Sequence, residues 1–289
     1  MHVGRPEVAV VGHVEWVQFA RLTQVPRAGE VAHARDPFEE PAGGGAVAAV
    51  QLARLAGEAV LVTALGEDER GRRSVSRLQE LGVDVWAARR TAETRRAVTL
   101  IDDARERTII TFGERLEARG EDDGLPWNTL EEMDAVYFTA GDVGALRAAR
   151  AARVLVASPR AGAALGQGVE LDALVLSGDD AIERGEATRA QSEAGLVVFT
   201  DGARGGTYRE RGGETGTWAA VSPPGAPVDS YGCGDSFAAG LTYALGAGLD
   251  VPAALALAAR CGAVCLTGRG PYGRQLSRGE LDGGLDGDQ

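Results

Sequence analysis

The chain has 289 residues, and its 30 basic against 42 acidic side chains give a formal net charge of −12. That balance argues against a partner needing a basic face, whether nucleic acid or an anionic membrane. Every basic residue is arginine, which excludes a Schiff-base lysine and a Walker-type phosphate loop closed by Gly-Lys-Ser/Thr.

The chain opens without a basic leader and enters a strand at once, EVAVVG (7–12). Nowhere is there a run of about 18 consecutive apolar residues that could span a bilayer, and the expected location is the cytoplasm. Residues 13–42 are mixed, with Trp16, Phe19 and the acidic pair Glu39-Glu40. The pattern then becomes regular: a glycine-rich entry to a helix at 45–57, a strand at 59–66 and a helix at 69–82. Residues 95–112 alternate like two strands joined by a DDARE turn, a hairpin. Further strands are predicted at 134–140, 153–158, 173–177 and 196–200, with helices at 143–152 and 187–195. The strands are continuous, β-branched runs, as expected of strands covered on both faces.

Strand-helix-strand alternation predicts an α/β protein, doubly wound, with a mostly parallel central sheet and helices on both faces. Residues 1–12, 43–94 and 113–276 form the expected body, and 13–42 with 95–112 a small β lid. The tail 277–289 is rich in glycine and acid and is expected to be disordered. Three cysteines, Cys233, Cys261 and Cys265, cannot build a disulfide framework. Cys261 and Cys265 are four apart on an apolar helix and read as buried structural thiols.

Chemistry concentrates in PPGAPVDSYGCGDSFAAGLTYALGAGLD (223–250), where Gly232-Cys233-Gly234-Asp235 leads into a helix patterned by Phe237, Leu241 and Leu245. Glycines there let backbone N–H groups converge, and the helix N-terminus adds partial positive charge, which suits an anion held without lysine. Asp235 then has two readings: a helix N-cap, or a carboxylate at the mouth of the site that takes a proton from an attacking hydroxyl.

The segment DSYGCGDSFAAG (229–240) resembles the D-T-x-G-A-G-D-x-F-x-x-G signature of the ribokinase-like (PfkB) carbohydrate kinases. Three other stretches resemble that family in order: PAGGGAVAAVQLARLAG (41–57), ALGEDERGRRSVSRLQELGVDV (64–85) and TDGARGGTYRE (200–210). The resemblance spans residues 7 to 271 and implies an ATP-dependent kinase acting on a hydroxyl of a small sugar or nucleoside-like substrate. It implies Asp235 as general base and the amides of Gly232, Cys233 and Gly234 as the anion hole. It puts Thr200, Gly202 and Gly205 along ATP and Cys261, Gly262 and Ala263 beside adenine. Asp229 and Ser230 would help hold a monovalent cation such as K⁺, Mg²⁺ would bridge the ATP phosphates largely through water, and lids of such kinases often pair into homodimers. Gly43 and Gly44 of the glycine-rich element would approach the substrate.

The chain also departs from the family pattern. In Gly12-His13-Val14-Glu15-Trp16-Val17, Glu15 stands where the family has a sugar-gripping Asn and Val17 where it has an Asp. Glu15 remains as the candidate acceptor of substrate hydrogen bonds, and Trp16 offers either a stacking face or lid core. Val47 matches another family Asn. Asp180 stands near the place of a metal-linked Glu, as a substitute or a solvated loop carboxylate. Asp142, just past a strand end, is a candidate substrate contact, and Arg95 and Arg96 could meet an anionic group. Cys233 replaces an Ala, and the adjacent helix N-terminus would draw its thiol pKa down. Two other readings stay open: a catalytically silent nucleotide or sugar sensor on the same fold, and a dinucleotide-dependent oxidoreductase, whose G-x-G-x-x-G is missing.

Overall fold

The computed structural model describes residues 5–178 and 188–283. A nine-stranded sheet runs β13-β12-β11-β10-β9-β8-β1-β4-β5. Its strands are β1 (Val8–Val11), β4 (Ala59–Gly66), β5 (Val83–Arg90), β8 (Ala135–Phe138), β9 (Val154–Ala157), β10 (Leu171–Ser177), β11 (Ala194–Thr200), β12 (Gly206–Glu210) and β13 (Thr215–Trp218). All neighbours are parallel except β11–β12 and β12–β13, which form an antiparallel edge. The expected doubly wound, mostly parallel α/β fold is what the chain adopts.

Alternation within β1 explains the two covered faces. Val8 and Val10 enter one apolar core with residues of α1 (Gly44–Ala56), α5 (Cys233–Gly246) and α6 (Val251–Cys265). Ala9 and Val11 enter a second core on the other face, with Leu146 of α3 (Val143–Ala149) and Leu155. Helix α2 (Glu69–Glu80) connects β4 to β5, and a short turn of helix, α4 (Ala190–Glu193), precedes β11. The helix expected at 187–195 is thus shorter, and Ala194 and Gly195 already belong to the strand.

Strand order reverses around β1, which lies between β8 and β4. The segments leaving β1 and β8 therefore diverge, and open α/β sheets bind ligands in that crevice. The helix starts differ in a telling way. Asp68, Asp142 and Asp250 cap α2, α3 and α6 through their side chains, whereas α1 and α5 begin on Gly43 and Gly232 with no side-chain cap. No side chain satisfies their first-turn N–H groups.

A second sheet, ordered β3-β2-β6-β7, forms the lid from β2 (Glu15–Arg21), β3 (Arg35–Ala42), β6 (Arg96–Ile101) and β7 (Arg107–Phe112). The 95–112 segment is the expected hairpin, closed by Arg105 N–H donating to Asp102 O at 2.9 Å. Strands β2 and β6 pair in parallel, so the lid is a mixed sheet. It packs on the body through Phe19, stacked on Phe38 and edge-on to Tyr231. Trp16 belongs to the lid core: buried, its Nε1 donates to Glu39 at 3.0 Å and Arg73 covers its ring.

The expectation of a disordered tail is corrected for its first half, where α7 (Arg278–Gly283) forms. Ser277 and Glu280 close a capping box, Ser277 N–H donating to Glu280 Oε2 at 3.0 Å and Ser277 Oγ at 2.7 Å. Leu281 packs on the main core. Among the described residues, no helix is long and apolar enough to cross a membrane.

Candidate active site

The start of α5 is shaped by Gly232, whose φ of 80° lies in the left-handed region. A Cβ there would also meet Val47 Cγ1 at 2.8 Å, which explains why Val47 is core rather than a substrate contact. The helical ladder begins with Ser236 N–H donating to Gly232 O at 2.8 Å. Cys233 N–H reaches back to Ser230 O at 3.4 Å, and the amides of Gly234 and Asp235 precede the ladder. This turn has the donors and the dipole of an anion site.

Asp235 is half-buried in the same turn and meets the glycine-rich start of α1. A Cβ on Gly44 would lie 3.0 Å from Asp235 Oδ1 and 3.2 Å from Thr139 Oγ1. Gly45 packs so tightly on Gly12, at the end of β1, that a Cβ there would come within 2.7 Å of the Gly12 carbonyl carbon. The structure therefore brings Asp235, Gly43, Gly44 and the segment after β1 to one place, the crevice at the reversal of strand order.

The wall beside Asp235 is polar and buried. His13 Nε2 is 3.6 Å from Glu15 Oε1, which is 3.2 Å from Arg95 Nη1. Burial, and then the positive charge of Arg115, Arg95 and Arg160, pulls the His13 imidazole down to about 3, so it is neutral at physiological pH. Burial pushes the Glu15 carboxyl up, with Arg95 foremost in opposing it. His13 Nδ1 and Arg95 Nε are buried without a hydrogen-bond partner. Arg115 is braced by Glu117 at 2.5 Å and by the Arg160 carbonyl at 2.8 Å. Thr139 and Ser158, just past β8 and β9, share a hydrogen bond at 3.2 Å. Arg115, Ser158 and Arg160 were not singled out from the sequence. Their position just beyond strand ends was the available signal.

A cleft of about 540 Å³ lies at the antiparallel edge, lined by Thr200, Asp201, Arg204, Thr207, Trp218 and neighbours. Thr200 lines it. Gly205, at φ 86°, turns β11 into β12, and a Cβ there would strike Trp218 O at 2.1 Å. Gly202 begins the intervening turn. Trp218 carries a buried, unpartnered Nε1 and stacks at 5.0 Å on Phe237, two residues past Asp235. The cleft and the anion turn thus share a wall. Gly262 lies against that turn, its Cβ position 3.4 Å from Cys233 O, and Ala263 is half-buried beside it. Cys261 is a correction: it is fully buried in the helix interface facing Gly240, not in the cleft.

Three other expectations change. Asp142 serves the fold, its Oδ1 accepting from Ala145 N–H at 2.8 Å and Gly120 N–H at 2.9 Å. The Cys233 thiol is pushed up, not down, by its hydrogen bond to Cys265 and by burial; the thiol pair is thus Cys233 with Cys265. The oxygens expected around a monovalent cation are already engaged: those of Asp229 accept from Tyr231 and Gly270 N–H with Arg21 3.7 Å away, and those of Ser230 accept from Arg107. Asp180 lies outside the described residues. Among the described residues, no group of three His, Cys, Asp or Glu side chains comes together as a metal cluster.

The description of the pfkB family carbohydrate kinases matches residues 5–167 and 168–276. The chain belongs to that family. As a member it is a phosphotransferase. An ATP-dependent ribose-1-phosphate kinase of Halopiger xanaduensis is 28% identical, over 89% of this chain and 90% of its own. An acarbose 7(IV)-phosphotransferase of an Actinoplanes strain is 41% identical over a stretch covering 27% of this chain and 26% of its own. In fold, the chain superposes on the ribokinase of Arabidopsis thaliana complexed with ribose and ATP, with a TM-score of 0.76, 18% identity and coverage of 98% and 99%.

Proposed function

We propose that the protein transfers the γ-phosphoryl group of ATP to a hydroxyl of a small sugar or nucleoside-like acceptor, with Asp235 as general base. The observation that carries the reading is the convergence of two uncapped helix starts, α1 and α5, on the Asp235 carboxylate beside a polar crevice. The acceptor hydroxyl loses its proton to Asp235 while its oxygen attacks the γ-phosphorus in line. The bond to the β,γ-bridging oxygen breaks, and ADP leaves. The amides of Gly232, Cys233 and Gly234 face the charge carried by the transferred group.

ATP would lie along Thr200, Gly202 and Gly205, in the cleft whose Trp218 holds an unpartnered N–H. Mg²⁺ would ride on the ATP phosphates. The lid sheet would close over the acceptor and exclude water. Its outer strand β7 leaves Ile109, Ile110 and Phe112 exposed, the surface on which lids of two copies would pair; sedimentation of an Ile110→Glu variant as monomer beside a wild-type dimer tests that pairing.

The arginines around Glu15 favour an acceptor that carries an anionic group, and the Halopiger relative is named for the phosphorylated sugar ribose 1-phosphate. The test is ADP release across pentoses, pentose phosphates, hexoses and nucleosides, with Asp235→Asn in parallel. Turnover should fall by at least about 100-fold in the variant, with ATP binding retained by calorimetry. Full turnover in Asp235→Asn would overturn the base, and no turnover on any acceptor without ATP-induced stabilisation would overturn the kinase reading.

A further inference from the structure

Immediately before the anion turn, residues 228–230 gather oxygens: a carbonyl, a carboxylate and a hydroxyl. Asp229 is 1% exposed. Its Oδ1 accepts from Tyr231 N–H at 3.0 Å and its Oδ2 from Gly270 N–H at 2.8 Å, so the carboxylate ties the start of the turn to the loop after α6. A buried carboxylate also needs a compensating positive charge.

Two arginines of the lid supply it. Arg21, the last residue of β2, brings Nη2 to 3.7 Å from Asp229 Oδ2 and donates to Val228 O at 3.4 Å. Arg107, the first residue of β7, donates from Nη1 to Ser230 O at 3.0 Å and to Ser230 Oγ at 3.1 Å. A monovalent metal ion at this place would have to coordinate the oxygens these guanidinium groups already hold. The donor set therefore fits arginine, not a free ion.

We propose that Arg21 and Arg107 are built-in cations that order the 229–235 turn, so that the enzyme works without K⁺ and its anion hole is complete only when the lid sheet is docked. Guanidinium stays charged at every physiological pH, and here each arginine reaches two oxygens through one terminal nitrogen, Nη1 of Arg107 and Nη2 of Arg21, as one spherical ion does by coordination. Both arginines are positioning residues: they act on the substrate through the turn. The inference rests on the kinase reading above only for its kinetic arm.

The experiment uses the full chain, with choline exchanged for K⁺ at constant ionic strength. Wild-type kcat and Tm should be the same in both salts. Arg107→Ala and, as a milder change, Arg107→Gln should lower kcat on the order of tenfold or more with ATP KM little changed. K⁺, but not choline, should restore part of the kcat and raise the Tm of these variants. A wild-type Tm or kcat that rises strongly with K⁺ overturns the proposal, as does an Arg107 variant that loses activity and gains nothing from K⁺. If no acceptor is turned over, the kinase reading fails, and the Tm arm still decides this one.

Discussion

Gly44 and Asp235 lie so close that a single methyl group on Gly44 would come within 3.0 Å of the Asp235 Oδ1 atom. Gly44 is the first residue of its helix and does not have the left-handed backbone that strains side-chain-bearing residues. Its glycine is needed for space rather than for conformation. Gly44→Ala should therefore fold normally and push the carboxylate aside by a few tenths of an ångström. Misplacement on that scale should lower kcat by up to about tenfold with a Tm close to wild type. A wild-type kcat in this variant would show that the carboxylate's position is not tuned.

His13 predicts an acid-side weakness. Its pKa falls from 6.5 to about 3 on folding, so below pH 6.5 the unfolded chain binds a proton that the folded protein refuses. Its contribution is complete above that value and is lost as the pH falls, reaching about 2 kcal/mol at pH 5. Glu15 works the other way: its raised carboxyl costs stability at high pH, and that cost is relieved on acidification. In urea titrations between pH 7 and 5, wild type should lose more stability than His13→Gln. Equal losses would show that the buried imidazole does not govern this range.

Much of the architecture was legible because its causes are local. The strands 59–66 and 173–177 read as apolar runs and are covered on both faces, and the Gly232-Cys233-Gly234-Asp235 turn could be recognised because its glycines serve a backbone geometry. What the sequence hid depends on long-range placement. Strand β5 carries Asp84, Arg89 and Arg90 on an edge where one side meets solvent, so it lacks an apolar run. Cys233 and Cys265 meet only because α5 and α6 pack together, which no spacing along the chain announces. Arg21 and Arg107 are separated from residues 228–230 by more than a hundred positions, and nothing in their own neighbourhoods marks them.

The close packing of α5 on α6 is itself testable. A Cβ on Gly240 would lie 2.7 Å from Cys261 Sγ and 3.0 Å from Ala258 Cα. The second neighbour is backbone and cannot swing away, so Gly240→Ala must part the helices slightly. The expected cost is about 1–3 kcal/mol in urea unfolding. Adding Cys261→Ala should recover part of it, because the sulfur is the nearer obstacle. Additive losses in the double variant would mean that the strain resides in the backbone contact alone.

The charge around Glu15 predicts which acceptors are favoured. Arg95 is 3.2 Å from Glu15, yet its buried Nε has no partner. Arg115 and Arg160 add positive charge to the same spot. Glu117 already pairs with Arg115, yet the positive charge of Arg95 beside Glu15 would favour an acceptor bearing a phosphate over a neutral sugar. A phosphorylated pentose should have the higher kcat/KM of the two. Arg95→Gln should raise its KM on the order of tenfold or more, the loss expected for a hydrogen bond to a charged group, while the KM for ATP stays put. A preference for neutral nucleosides, indifferent to Arg95, would assign these arginines to holding Glu15 and the lid rather than the substrate.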